Sequence, residues 1–242
     1  MIKIKLLTIV FAFFFLEVVF AALPTNKEIF PNLSIKVNGK ERFYRLVVPK
    51  TSQNKFPLLF AFHGLGDSKD LMPFYSKLDE TAKKHGFILV YPNGIDKRWP
   101  LIPALAIDDI AFFDSLYEKL IKSYPIDENR VYLAGMSNGA YFINILAQKR
   151  AEKIAAIASH SGSIGFLGRQ GLKTKDKYAV IIIHGDKDKI ISVSEGRRTK
   201  NTYKSAGYIT EYLEVKGLGH TWANEINVND KIWQFFEANP KK

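Results

Sequence analysis

Residues 130–146 read RVYLAGMSNGAYFINIL, and the fold turns on how Ser137 is read within them. G-x-S-x-G spans Gly135 to Gly139, but with Gly near 7% of residues the pattern arises by chance in roughly one chain in ten of this size. A serine opening a helix can also be a plain N-cap, which needs no flanking glycines. The context distinguishes the two readings. Arg130–Ala134 is a short apolar run of strand type, and the residues after Gly139 are apolar at helical length. A serine on a strand–turn–helix corner is a nucleophile elbow, in which the glycines let strand and helix approach closely.

The strand–helix alternation extends in both directions. Leu33–Val37 and Glu41–Val48 alternate around Asn38-Gly39, the signal of an antiparallel hairpin. Pro57–Phe62, Phe87–Tyr91, Ile154–Ala158, Tyr178–Ile183 and Ile209–Val215 read as further strands, several of them continuous apolar runs of the kind buried on both faces. Helices are expected over Pro73–His85, Asp108–Tyr124, residues 138–150, Ser194–Ala206 and Asn224–Asn239. The sum is an α/β fold with a mostly parallel, doubly wound sheet led by an antiparallel N-terminal hairpin. No internal repeat or linker interrupts it, so residues 22–242 are expected to form one domain.

The first 21 residues read differently. Lys3 and Lys5 precede the apolar run Leu6–Phe20, and Val19-Phe20-Ala21 offers a cleavage site. This is the layout of a secretory signal peptide. Its apolar run of about 15 residues is short of the ~20 a spanning helix needs. The expectation is a secreted or periplasmic protein without stable membrane insertion after cleavage. There is no cysteine in the chain, which excludes a thiol nucleophile, disulfides and Cys-ligated metal. The net charge of +11 raises the possibility of a nucleic-acid or anionic-surface partner. The basic residues are dispersed, however, as at Lys173, Lys175 and Lys177 or Arg197, Arg198, Lys200 and Lys204, and no recognition motif accompanies them. A basic solvated surface without nucleic-acid binding is the expectation.

A serine hydroxyl needs a base, and the base needs an orienting acid. In an elbow fold the order along the chain is Ser, acid, His. Of five histidines, only His220 follows the last strand, in the turn Gly217–Thr221. Asp186 and Asp188 both follow the strand ending at His184-Gly185, at the carboxyl edge where catalytic groups collect. The expected triad is Ser137, Asp188 and His220. Two oxyanion N–H donors are expected from Asn138 and from Leu65 in His63-Gly64-Leu65-Gly66, with His63 bonding the loop backbone. Trp99 and Trp222 are candidates for lining a substrate pocket or for packing. Asp108-Asp109 suits a helix start, and the glycine-rich 161–171 stretch suits a surface loop. This chemistry calls for no metal or organic cofactor.

The segments FAFHGLGDS, YPNG, GMSNG, IIHGDKDKII and GLGHTW, taken in order, resemble secreted α/β-hydrolases of the poly(3-hydroxybutyrate) depolymerase and feruloyl esterase type. The resemblance runs from about Leu33 to Trp233. It implies an α/β-hydrolase fold and ester cleavage through an acyl-enzyme, favours Asp188 over Asp186 as the acid, and matches His220-Thr221-Trp222 to the family's H-x-W. The chain departs at Leu65, where such proteins usually carry cysteine, and at Ala223-Asn224, where they carry Pro-Gly. Its compactness fits a short-chain, hydroxyalkanoate or aryl ester substrate, small or oligomeric. Rival readings are a serine peptidase or thioesterase of the same fold, or a non-catalytic binding relative.

Overall fold

A computed structural model describes residues 28–51 and 53–241. The expected signal segment, residues 1–21, lies outside the described residues.

The hairpin forms as expected. β1 (Ile29–Val37) and β2 (Lys40–Val47) pair antiparallel, and Asn38 and Gly39 both take positive φ, 49° and 78°. That is the turn geometry Asn-Gly favours, because its twist matches the strands' own. β2 then pairs antiparallel with β4 (Ile88–Pro92). From there the sheet is parallel through β3 (Phe56–Phe62), β5 (Ile126–Met136), β6 (Ala156–His160), β7 (Ala179–Gly185) and β8 (Thr210–Val215). The strand order is β1-β2-β4-β3-β5-β6-β7-β8.

Strand periodicity divides the core into two layers. Leu58, Phe60 and Phe62 of β3 and Leu133 of β5 face one cluster, with Phe113 of α3 (Ile107–Ser123), Phe142 of α4 (Asn138–Lys149) and Tyr203 of α6 (Val193–Ser205). The intervening Leu59, Ala61, Tyr132 and Ala134 face the other, with Leu78 and Ala82 of α2 (Leu78–His85) and Trp233 and Phe236 of α7 (Val228–Ala238). Every residue of β3 is buried, which is why its sequence shows no polar alternation.

Three segments depart from the sequence-based expectation. The helix expected over Pro73–His85 is two: α1 (Met72–Ser76) and α2, separated by Lys77 at φ 54°. The carbonyls of Tyr75 and Ser76 accept from the side-chain amides of Asn224 and Asn229, both 2.7 Å away, which anchors the chain at the break. The last helix begins at Val228 rather than Asn224, because residues 224–226 form a 3-10 turn that ends at Asn227 with φ 52°. The 161–171 stretch is not a plain surface loop. Ser161 to Ile164 are buried and α5 (Leu167–Gln170) follows.

Candidate active site

All the expected triad residues sit at the carboxyl edge of the parallel strands. Ser137 joins β5 to α4 with φ 55° and ψ −116°, a region that costs a non-glycine residue about 1–3 kcal/mol. Close packing enforces the turn. A Cβ at Gly139 would lie 2.2 Å from the Phe62 carbonyl oxygen, and one at Gly135 would lie 2.6 Å from Gly139. The Ser137 hydroxyl does not cap its own helix. It meets His220 Nε2 at 2.9 Å instead.

His220 Nδ1 lies 2.7 Å from Asp188 Oδ2, so its proton belongs on Nδ1 and Nε2 accepts from the serine. The Oδ1 atom of Asp188 accepts the Ile190 and Ile191 N–H groups, each at 2.9 Å. Burial works against ionisation of Asp188, but the Ile191 N–H, His220 and the Ile190 N–H outweigh it and hold the carboxyl below the usual carboxylate range. Asp186 has another partner: it accepts the Gly217 N–H at 2.7 Å and so ties the β7 loop to the loop carrying His220. Gly185 permits that approach, since a Cβ there would fall 2.2 Å from the Leu218 carbonyl oxygen.

The loop after β3 passes over the serine: a Cβ on Gly64 would stand 3.6 Å from Ser137 Cβ. His63 holds this loop. Its Nδ1–H donates to the Gly64 carbonyl at 2.8 Å, and its Nε2 accepts the Gly94 N–H at 3.0 Å. Burial lowers its pKa, so the ring stays neutral and keeps both bonds. The Gly66 N–H donates to Lys97 at 2.8 Å. Leu65 thereby occupies a fixed turn with its side chain 71% exposed. Asn138 is the first residue of α4, where N–H groups have no intrahelical partner.

Asn138 also does something that motif reading missed. Its side chain grips the backbone of Trp99 at both ends, accepting the Trp99 N–H at 2.7 Å and donating to the Trp99 carbonyl at 2.9 Å. The indole N–H of Trp99 donates to the His63 carbonyl at 3.1 Å, and the ring stacks on Phe142 at 5.1 Å. Trp99 is only 2% exposed, yet it contributes to a cleft of about 640 Å³ beside the serine. Leu65, Ile95, Pro100, Leu101, Ile102 and Leu105 supply the rest of its apolar lining, and Asp96, Arg98, Asp109 and Asn138 its polar part. Asp109, at the start of α3, is paired with Arg42 at 2.7 Å. Trp222 lies elsewhere: it is buried, stacks on His160 at 4.6 Å and donates to Asn229 at 2.8 Å.

Apolar side chains are exposed around the site, alongside the charged Asp96 and Arg98. Of the large apolar side chains exposed among the described residues, all but Phe43 and Ile209 lie on segments that follow the carboxyl ends of β3, β4, β6 and β7. Leu105 and Ile190, 70% and 73% exposed, are among the most exposed of them. Among the described residues no cluster of three His, Cys, Asp or Glu could hold a metal ion, and no helix is long and apolar enough to cross a membrane.

The Phospholipase/Carboxylesterase family model matches residues 107–230, just over half of the chain and the whole span from α3 through the triad. The chain belongs to this family. More specific likenesses to this Phospholipase/Carboxylesterase member come from individual proteins. Feruloyl esterase D of Neurospora crassa is 28% identical over 185 residues, covering 71% of this chain and 61% of that protein. The bifunctional acetylxylan esterase/xylanase XynS20E of Neocallimastix patriciarum is 24% identical over 197 residues, 81% of this chain and 28% of its own length. The chain thus spans less than two thirds of these relatives. Among solved structures, a thermostable esterase superposes with a TM-score of 0.71 at 20% identity, covering 88% of this chain and 64% of that one. Acetyl xylan esterase from Aspergillus awamori gives 0.71 at 15%, covering 85% and 98%. At that identity the structures establish the α/β-hydrolase fold.

Proposed function

We propose that the chain is a serine hydrolase of carboxylic esters, with Ser137 as nucleophile, His220 as general base and acid, and Asp188 as the group that orients and stabilises the imidazolium. The observation that carries this reading is the bond chain Asp188–His220–Ser137, at 2.7 and 2.9 Å, ending on a serine whose backbone is held at φ 55°.

The cycle is acyl transfer. His220 takes the Ser137 proton as Oγ attacks the ester carbonyl, and the Leu65 and Asn138 N–H groups receive the oxyanion. His220 then protonates the departing alcohol. In the second half it deprotonates the water that attacks the acyl-enzyme, then returns that proton to Ser137 Oγ as the Oγ–acyl bond breaks and the acid leaves.

Substrate choice follows from the cleft wall. Ile95, Leu101, Ile102 and the edge of Trp99 favour an apolar acyl or aryl group next to the ester, small or oligomeric. The feruloyl and acetylxylan esterases among the relatives support esters of that size. Trp222, stacked beneath the site on His160, serves as a support for the His220 loop rather than as a pocket wall.

A p-nitrophenyl ester series from acetate to decanoate, run beside Ser137→Ala and followed by methyl ferulate, tests the reading. Hydrolysis that disappears in Ser137→Ala is the expected result. A folded protein inert toward every ester sinks it, and amide or thioester substrates cleaved in preference would redirect it.

A further inference from the structure

The carboxyl end of β6 holds a histidine that the reaction does not use, bonded both to the Ser137 turn and to the segment that follows His220. The main-chain carbonyl of His160 accepts the Ser137 N–H at 2.9 Å. Its ring Nε2 accepts the Ala223 N–H at 3.1 Å, three residues beyond His220. With Nε2 accepting, the ring proton sits on Nδ1 and donates to Ser161 Oγ at 3.0 Å. The ring is fully buried and lies nearly parallel to Trp222, 14° apart with centroids at 4.6 Å.

We propose that His160 is a positioning residue, a neutral imidazole that clamps the nucleophile turn to the His220 loop and so sets the serine–imidazole distance. This rests on the triad reading above. The elements it joins are otherwise linked through β7, which pairs with both β6 and β8. Ser137 is fixed by β5 and α4, whereas His220 sits in a turn beyond β8, two strands further along the sheet from β6. On its outer side the His220 loop is braced through Lys187 N–H to Leu218 at 2.9 Å and through Asp186 to Gly217. On its inner side the bond from Ala223 to His160 is the link that leads directly to the serine. A protonated ring would present N–H against N–H at Ala223, so the clamp requires the neutral form. Burial supplies it, depressing the His160 pKa to about 3.

The geometry separates the ring's two contributions. Phenylalanine at this position keeps the carbonyl bond to Ser137 and the stack on Trp222 but offers no acceptor. Glutamine places an amide oxygen near the position of Nε2. Since a displacement near 1 Å at reacting atoms costs up to about 100-fold, His160→Phe should lower kcat by ~10- to 100-fold with KM for p-nitrophenyl acetate changed less than about twofold. His160→Gln should recover most of that loss. The Ala223 amide, followed by NMR hydrogen exchange, should stay protected in the parent and in His160→Gln and exchange faster in His160→Phe.

Full activity in a folded His160→Phe overturns the proposal. So does equal loss in both variants alongside an equal fall in Tm, since that pattern belongs to packing alone. Amide exchange needs no turnover, so it decides the clamp even if the parent proves inert toward esters. Altered protection at Ala223 would then uphold the clamp while the esterase reading fails, and unaltered protection in His160→Phe would sink the clamp itself.

Discussion

Acidification gives a quantitative test of the buried imidazole. His160 titrates at about 3 in the folded protein against an ordinary 6.5, because burial penalises its cation and the nearby His184 and His220 add to the effect. The unfolded chain therefore binds a proton that the folded chain does not throughout that interval. Stability from this group is complete above pH 6.5 and is lost as pH falls toward 3. Each proton taken up on unfolding removes about 1.4 kcal/mol per pH unit, so lowering the pH from 7 to 5 should remove about 2 kcal/mol through His160 alone. Other groups titrate in the same range, including His63, whose pKa burial also lowers. Comparing parent with His160→Gln cancels them. Urea unfolding at pH 7, 6 and 5 should give curves whose midpoints converge as the pH falls, the parent losing about 2 kcal/mol more than the variant. Parallel pH dependence in the two proteins would refute the assignment of a buried, neutral imidazole.

Further outcomes follow from single contacts. Gly139→Ala drives a methyl to 2.2 Å from the Phe62 carbonyl oxygen; overpacking of that kind typically costs about 1–3 kcal/mol, and Tm together with p-nitrophenyl acetate turnover should both fall. Asp188→Asn should reduce kcat by ~10,000-fold through loss of the correct His220 tautomer, whereas Asp186→Asn, which perturbs only the bond to Gly217, should stay within about tenfold. Equal effects at the two positions would undo their assignment. Expression in a secretion-competent host followed by N-terminal sequencing should find a mature chain starting at Ala22, as the composition of residues 1–21 predicts; a start at Met1 would contradict export by cleavage.

The parts of the fold that sequence reveals are those encoded by local periodicity. β3 and β7 are apolar runs, α3 carries a helical stripe, and Asn38-Gly39 dictates its turn; all stand where the residues place them. The elbow was legible for the same reason, since the glycines around Ser137 have local steric roles. What escaped detection depends on partners distant in the chain. The break at Lys77 is anchored by Asn224 and Asn229, about 150 residues away. Asn138 announces itself as the residue after Ser137 in the G-x-S-x-G turn, but its side-chain grip on Trp99 leaves no pattern in either segment. His160 reads as a histidine that merely follows a strand. Its contacts with Trp222 and Ala223 come from the far end of the sheet and leave no mark on the local sequence.

The most direct test of the account is covalent labelling of Ser137. The folded protein, treated with a fluorophosphonate and digested, should carry one adduct, on the peptide containing Ser137, and Ser137→Ala should carry none. An unlabelled protein, or an adduct on another residue, would contradict the claim that the Asp188–His220 pair activates this serine.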